Sequence, residues 1–324
     1  MTQDPDRSFK TLLRLAGERE MPSAEATERA RLAAEQAWRR ALADRRRRRG
    51  FLPIALAAGL GLVALFTYTR REVAPPAVAV ARIEALDGAA TLRSIHGRAA
   101  VADGTEVLTG SSLATLHGRV AVSFADALSL RLDENTQLRF DSHDHVTLLA
   151  GSLYVDSGGL GAGPPLVITT PAGEVRHIGT QFQVRVSADA TGIRVREGRV
   201  ALRPSGGSAD RMVAAGDLLE VRGGEERWQH GLASFGDAWE WSAGISPALA
   251  IEDRPMAEFL AWMAREHGWQ LQYADEGLQQ RTHDIRLHGS LEGLRPEAML
   301  ERVSLVTGLP VEASDGVLRV GVRP

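Results

Sequence analysis

The chain has 324 residues, enough for two globular domains. Its formal net charge of -3 argues against direct nucleic-acid binding, which calls for a clustered basic surface. Cysteine is absent, which excludes disulfides, thiolate nucleophiles and thiolate metal sites.

Residues 1–49 read as a helical segment. Phe9, Leu12, Leu13 and Leu15 belong to a short first helix over 7–16. After Gly17 and Pro22, Ser23 can cap a second helix over about 24–43. There Ala30, Ala33, Ala34, Ala37, Trp38 and Ala41 recur at helical spacing. So short a segment cannot bury much of a core by itself. Leu12, Leu13, Leu15 and Trp38 are therefore the candidate partner-docking residues, against the plainer reading of a solvated anchor extension.

Residues 50–70 read as one transmembrane helix. The stretch 51–69 carries no charge and would rise about 28 Å, close to a hydrocarbon core of roughly 30 Å. Arg45 to Arg49 precede it, whereas only Arg70 and Arg71 follow, which places the N-terminus in the cytoplasm. A cleaved leader of roughly 50 residues would be too long for a signal peptide. Residues 71–80 form a stiff linker around Pro75-Pro76.

From 81 to 222 the pattern is all-β. Leu128, Leu130 and Leu132 alternate with polar residues, as do Phe182, Val184 and Val186, and Val200 and Leu202. Turn signals fall at Asp87-Gly88, Asp103-Gly104, Asp133 to Asn135, Ala172-Gly173, Glu197-Gly198 and Ala215 to Asp217. A faint echo links residues 96–101, 117–122 and 197–202, each with a Gly-Arg step before apolar residues. Such repetition suits a β-solenoid or a rolled sheet, although convergent hairpin chemistry produces it too.

Residues 223–245 read as a tryptophan-rich linker, and 246–324 as a small α+β lobe. In the lobe a strand is expected over 248–251. A helix follows with Pro255 in its first turn, Met256, Phe259, Leu260 and Met263 on one face, and Gly268 at its end. Strands are expected at 269–273 and 284–289. Pro296 opens a second helix bearing Met299, Leu300, Val303 and Val306, ended by Gly308, and two short strands close the chain. The order is strand-helix-strand, twice.

No enzymatic constellation emerges. His143 and His145 could be metal ligands but read as a solvated polar turn, and the glycine-rich stretch 158–163 lacks the Gly-Lys-Ser/Thr of a phosphate loop. No G-x-S-x-G or H-E-x-x-H occurs. The chain is therefore expected to be a non-enzyme without cofactor or metal.

The segments 124–140, 148–158, 168–186, 191–202 and 212–221, taken in order, resemble the FecR domain. The most specific piece is Gly179-Thr180-Gln181-Phe182. On that resemblance Asp126, Gly151, Gly179, Thr180, Phe182, Gly198 and Gly216 are family-motif structural positions. The C-terminal lobe resembles the secretin and TonB short N-terminal (STN) domain found at the end of FecR-type regulators. The resemblance implies an inner-membrane, single-pass regulator of a Gram-negative bacterium. Its periplasmic part would meet the signalling domain of a TonB-dependent outer-membrane receptor, often one for iron-siderophores. Its cytoplasmic part would hold or activate an extracytoplasmic-function sigma factor. Residues 1–49 lack the W-L-x-x-S-P stretch usual in the family's sigma-binding region. A second reading therefore stays open: a FecR-domain envelope protein with a structural or cell-wall-ligand-binding role and no sigma-factor partner.

Overall fold

The computed structural model describes residues 23–40 and 78–321, apart from 96, 126–127, 159–165, 208, 248 and 292. The chain divides into two compact units, Met1–Pro75 and Pro76–Pro324. In the first, a helix (α1) covers 24–40. The Ser23 hydroxyl accepts from the Ala26 N–H at 3.3 Å, so the expected cap forms. The expected span 50–70 lies outside the described residues. No described helix is long and apolar enough to cross a membrane.

The second unit opens with thirteen strands in one sheet. They are β1 (Ala79–Ser94), β2 (Gly97–Ala100), β3 (Glu106–Leu108), β4 (Ser112–Phe124), β5 (Leu128–Leu132), β6 (Gln137–Phe140) and β7 (His145–Asp156). There follow β8 (Val167–Thr170), β9 (Gly173–Val186), β10 (Ala190–Pro204), β11 (Arg211–Ala214), β12 (Leu218–Arg222) and β13 (Glu225–Gln229). The main path runs β13-β12-β10-β9-β8-β7-β5-β4-β1-β2. One apolar core gathers side chains from β1 through β12, including Ile83, Phe124, Leu132, Val155, Phe182 and Leu219. The sheet is thus rolled around its own apolar face. It is not a solenoid, since β7–β8 is the one parallel pair among the sheet's described ladders.

The long strands bend, and each half finds a different neighbour. β4 pairs with β6 through Ser112–Ala114 and with β5 through Val120–Phe124. β10 pairs with β12 through Ala190–Arg194 and with β11 through Arg199–Leu202. Two of the expected turns are bends of this kind: Gly88 sits inside β1 and Gly198 inside β10, both beside register shifts. A positive-φ glycine serves a bulge as well as a hairpin, so the sequence signal does not distinguish them. The echo at 117–122 and 197–202 marks such bends in β4 and β10.

Residues 223–245 hold more structure than a linker. Glu225–Gln229 extend the sheet as β13, and Asp237–Gly244 form helix α2. Beyond lie β14 (Arg254–Pro255), α3 (Met256–His267), β15 (Gln270–Tyr273), α4 (Glu276–Asp284), β16 (Arg286–Leu287), α5 (Pro296–Thr307), β17 (Val311–Ser314) and β18 (Val317–Val320). Gly268 and Gly308 close α3 and α5 in the left-handed conformation, as their sequence positions predict. Three expectations fail. No strand forms at 249–251, and Pro255 precedes α3 as its N-cap. The polar helix α4 also intervenes where no apolar stripe announced it; Asp275 caps it, accepting from the Leu278 N–H at 2.8 Å. The lobe has its own core of Phe259, Leu260, Met263, Leu300, Val303 and Leu318.

Candidate functional site: the buried contact between body and lobe

The alternating strands have a second face. In β5 the apolar Leu130 and Leu132 enter the core, so Arg131 points the other way. The register aligns such outward residues across four strands. Arg131 faces Tyr154, Tyr154 faces Gln183 and Gln183 faces Arg194. One step along, Ser129, Asp156, Gln181 and Glu197 form a parallel row. Arg196 sits at the β10 bulge beside both. These are positions that alternation assigns to water, yet Arg131 is 1 % exposed and Arg196 6 %. Helices α2 and α3 cover them.

α3 contributes two consecutive charges. Glu266, itself 6 % exposed, takes a two-pronged ion pair from Arg131 at 2.5 and 2.9 Å. Arg131 also donates to the Ser242 carbonyl of α2 at 2.8 Å. Arg265 pairs in a fork with Asp156, and reaches Glu197 at 3.0 Å. Gln181 donates to Asp156 at 2.9 Å and to the Arg265 carbonyl at 3.3 Å. Arg196 donates to the Glu266 carbonyl at 3.0 Å.

Aromatic rings fill the spaces between these charges. The Arg196 guanidinium lies 4.5 Å from the Trp239 ring centre, and Arg131 lies 5.2 Å from that of Tyr154. Tyr154 and Trp239 meet edge to face at 6.2 Å. Trp239, 2 % exposed, donates to the Ala233 carbonyl at 3.2 Å. Ser234 in the same loop donates to the carbonyl of Gly268, which grips the end of α3.

Electrostatics follow from this geometry. Burial works against the Arg131 cation, but Glu266 outweighs it and raises the Arg131 pKa. Burial also raises Tyr154 well above its ordinary value, with Arg196 opposing. Arg196 is lowered by burial, which Tyr154 and Glu266 only partly offset. Among the described residues its Nε and Nη2 have no hydrogen-bond acceptor, nor has Arg131 Nε. For Asp156, burial is outweighed by Arg265, Gln181 and the Gly158 N–H, and the carboxyl is held below its ordinary value. Removing one member of such a buried pair costs about 3–5 kcal/mol, because the other charge is left stranded.

Of the family-motif positions, Gly151, Thr180, Phe182, Gly198 and Gly216 fall in strands and turns of the body. Gly151, with φ of 90°, bends β7, and a side chain there would run into Thr136. Gly198, with φ of 78°, packs on the Gly179 carbonyl. Phe182 is core, and the Thr180 N–H donates to Ser157 at 2.9 Å. Gly216 turns β11 into β12. Asp126, Leu12, Leu13 and Leu15 lie outside the described residues, and Trp38 on α1 is 68 % exposed. His143 is exposed, and His145 opens β7 with its ring 2.7 Å from Thr169. Among the described residues no group of three or more His, Asp or Glu is placed to hold a metal.

Residues 106–201 match the family model described as "FecR protein". That span holds Arg131, Tyr154, Asp156, Gln181 and Arg196; Trp239, Arg265 and Glu266 come from beyond it. Two crystal structures of a candidate anti-sigma factor from Parabacteroides distasonis ATCC 8503 are similar, each at 17 % identity. Each alignment covers 66 % of this chain and 99 % of the other, with TM-scores of 0.33 and 0.34. No curated protein matches the chain.

Proposed function

We propose that the protein is a FecR-type transmembrane regulator of a Gram-negative inner membrane. The observation that carries the reading is the match to the FecR family model over 106–201. The uncharged stretch at 51–69 supplies the anchor, and the preceding arginines hold the N-terminus in the cytoplasm. In this reading α1 and the segment before it dock an extracytoplasmic-function sigma factor, and the exposure of Trp38 suits such docking. The rolled body and the STN-like lobe meet the signalling domain of a TonB-dependent outer-membrane receptor. The protein acts by binding and population shift, with no bond chemistry. Receptor contact on one side changes affinity on the other.

The test is capture of a sigma factor by the full chain from cells of its own host. Recovery that is lost on Leu12→Asp/Trp38→Asp supports the reading, and failure to recover any sigma factor sinks it. Reporter fusions at residues 45 and 75 check the frame: cytoplasmic activity is expected at the first and periplasmic activity at the second. The second reading, an envelope protein that binds cell-wall glycan, rests on the missing W-L-x-x-S-P stretch. It predicts retention on peptidoglycan without a sigma factor.

A further inference from the structure

Two clefts of about 850 and 510 Å³ open on the lobe side of the buried contact. They share Trp269, Glu297 and Ala313 as walls, so they meet around one indole ring. In the larger, Trp262 and Phe235 add half-buried and exposed aromatic surface. In the smaller, Leu300 and Val311 form apolar wall.

The charges around these clefts are one-sided. Glu240, Glu297, Glu301, Glu312 and Asp315 are all exposed, and none has an ion-pair partner among the described residues. Among the described residues Arg295 is the one exposed arginine in either wall. Arg196 also enters the wall, but its guanidinium is committed to the Glu266 carbonyl and the Trp239 ring. Along the smaller cleft runs β17, which pairs with β18 on one side only.

We infer that this trough binds an extended, basic peptide segment of a partner protein, with apolar side chains between its arginines or lysines. Each feature matches one part of such a segment. Aromatic walls take the apolar side chains, and the unpaired carboxylates take the basic ones. The outer edge of β17 takes peptide backbone by strand addition beyond Val311, whose N–H already donates to Ser304 of α5 at 3.0 Å. The inference rests on the partner-binding reading above and gives it a site and a partner chemistry. A neutral glycan would use the aromatic rings but leave the carboxylate excess unanswered.

The experiment screens the purified full chain in detergent against an array of random peptides about 12 residues long, with a chitin tetrasaccharide as competitor. Expected are enriched peptides that alternate arginine or lysine with aromatic or aliphatic residues. The best of them should lose about tenfold in affinity on Trp269→Ala. It should lose a similar factor on the combined Glu297→Gln, Glu301→Gln and Glu312→Gln change, and weaken in about 0.5 M salt. The glutamines replace exposed, unpaired groups, so that variant keeps its fold even if Trp269→Ala does not. No enrichment, enrichment of acidic peptides, affinity indifferent to the triple variant, or displacement by the saccharide would each overturn the inference. Sigma-factor capture by the full chain is measured separately, so a failure here is distinguishable from failure of the regulator reading.

Discussion

The β body and the C-terminal lobe are held by different forces. The body closes on an apolar core in which Leu113, Leu130, Phe140, Val155 and Phe182 have no exposed surface. Its stability is spread over many contacts, each replaceable at modest cost. The lobe is fastened to that body by a few charges, Arg131 to Glu266 and Arg265 to Asp156, sealed by Trp239 and Tyr154. A distributed core weakens gradually when altered. A sealed charge cluster holds or fails as a set, which suits a contact that has two states.

The largest expected effect tests that contrast directly. Glu266→Ala strands Arg131 in a dry interface and should cost about 3–5 kcal/mol in denaturant unfolding. The double change Arg131→Met with Glu266→Leu should recover most of the loss. If the single and double variants are equally unstable, the charge account is wrong. Next comes the body: Gly151→Ala forces a side chain into Thr136 at positive φ and should cost about 2–3 kcal/mol, with the lobe still attached.

A pH series sharpens the comparison further. The folded Asp156 carboxyl titrates below its unfolded value of 3.8, so its contribution is complete above that pH. The contribution is lost as pH falls through the lower folded value. Asp156→Asn should flatten this acid limb. Burial likewise lowers His177 in the body and His267 in the lobe below 6.5, the latter against an opposing pull from Glu266. The unfolded chain then binds more protons, and stability should begin to fall as pH drops beneath about 6.5, before the Asp156 limb is reached. Thermal unfolding from pH 8 to 3 would show two steps, and an unchanged midpoint across the upper step would refute the histidine part. The smallest effect is the surface reference: Arg254→Ala breaks an exposed pair with Glu258 and should cost no more than about 0.5 kcal/mol.

Much of the body was readable from its sequence because strand alternation and core burial are the same fact seen twice. Leu128, Leu130, Leu132, Phe182 and Val184 mark β5 and β9 on apolar period alone. The site was not readable in that way. Alternation assigns Arg131, Gln181 and Arg196 to the polar face, and nothing local says that a lobe more than a hundred residues further on covers Arg131. One signal was available. Glu266 follows Phe259 and Met263 at helical spacing, which puts an acid on the apolar stripe of α3 and calls for a buried cation. The helix α4 escaped because its residues are mostly polar; Asp275 was its one visible mark. The tryptophan-rich stretch resembled a linker because Trp239 anchors a helix of only eight residues, too short for a period to show.

The Arg131–Glu266 contact joins residues 135 apart in the chain. Bringing residues that distant together costs loop-closure entropy before the contact repays it, so we expect this contact to form late in folding. The sheet must therefore be assembled before the lobe can seat. A contact made that late belongs on the native side of the folding barrier, where it governs how slowly the protein comes apart more than how fast it forms. The seal between body and lobe thus sets a lifetime, and anything that loosens α3 shortens it.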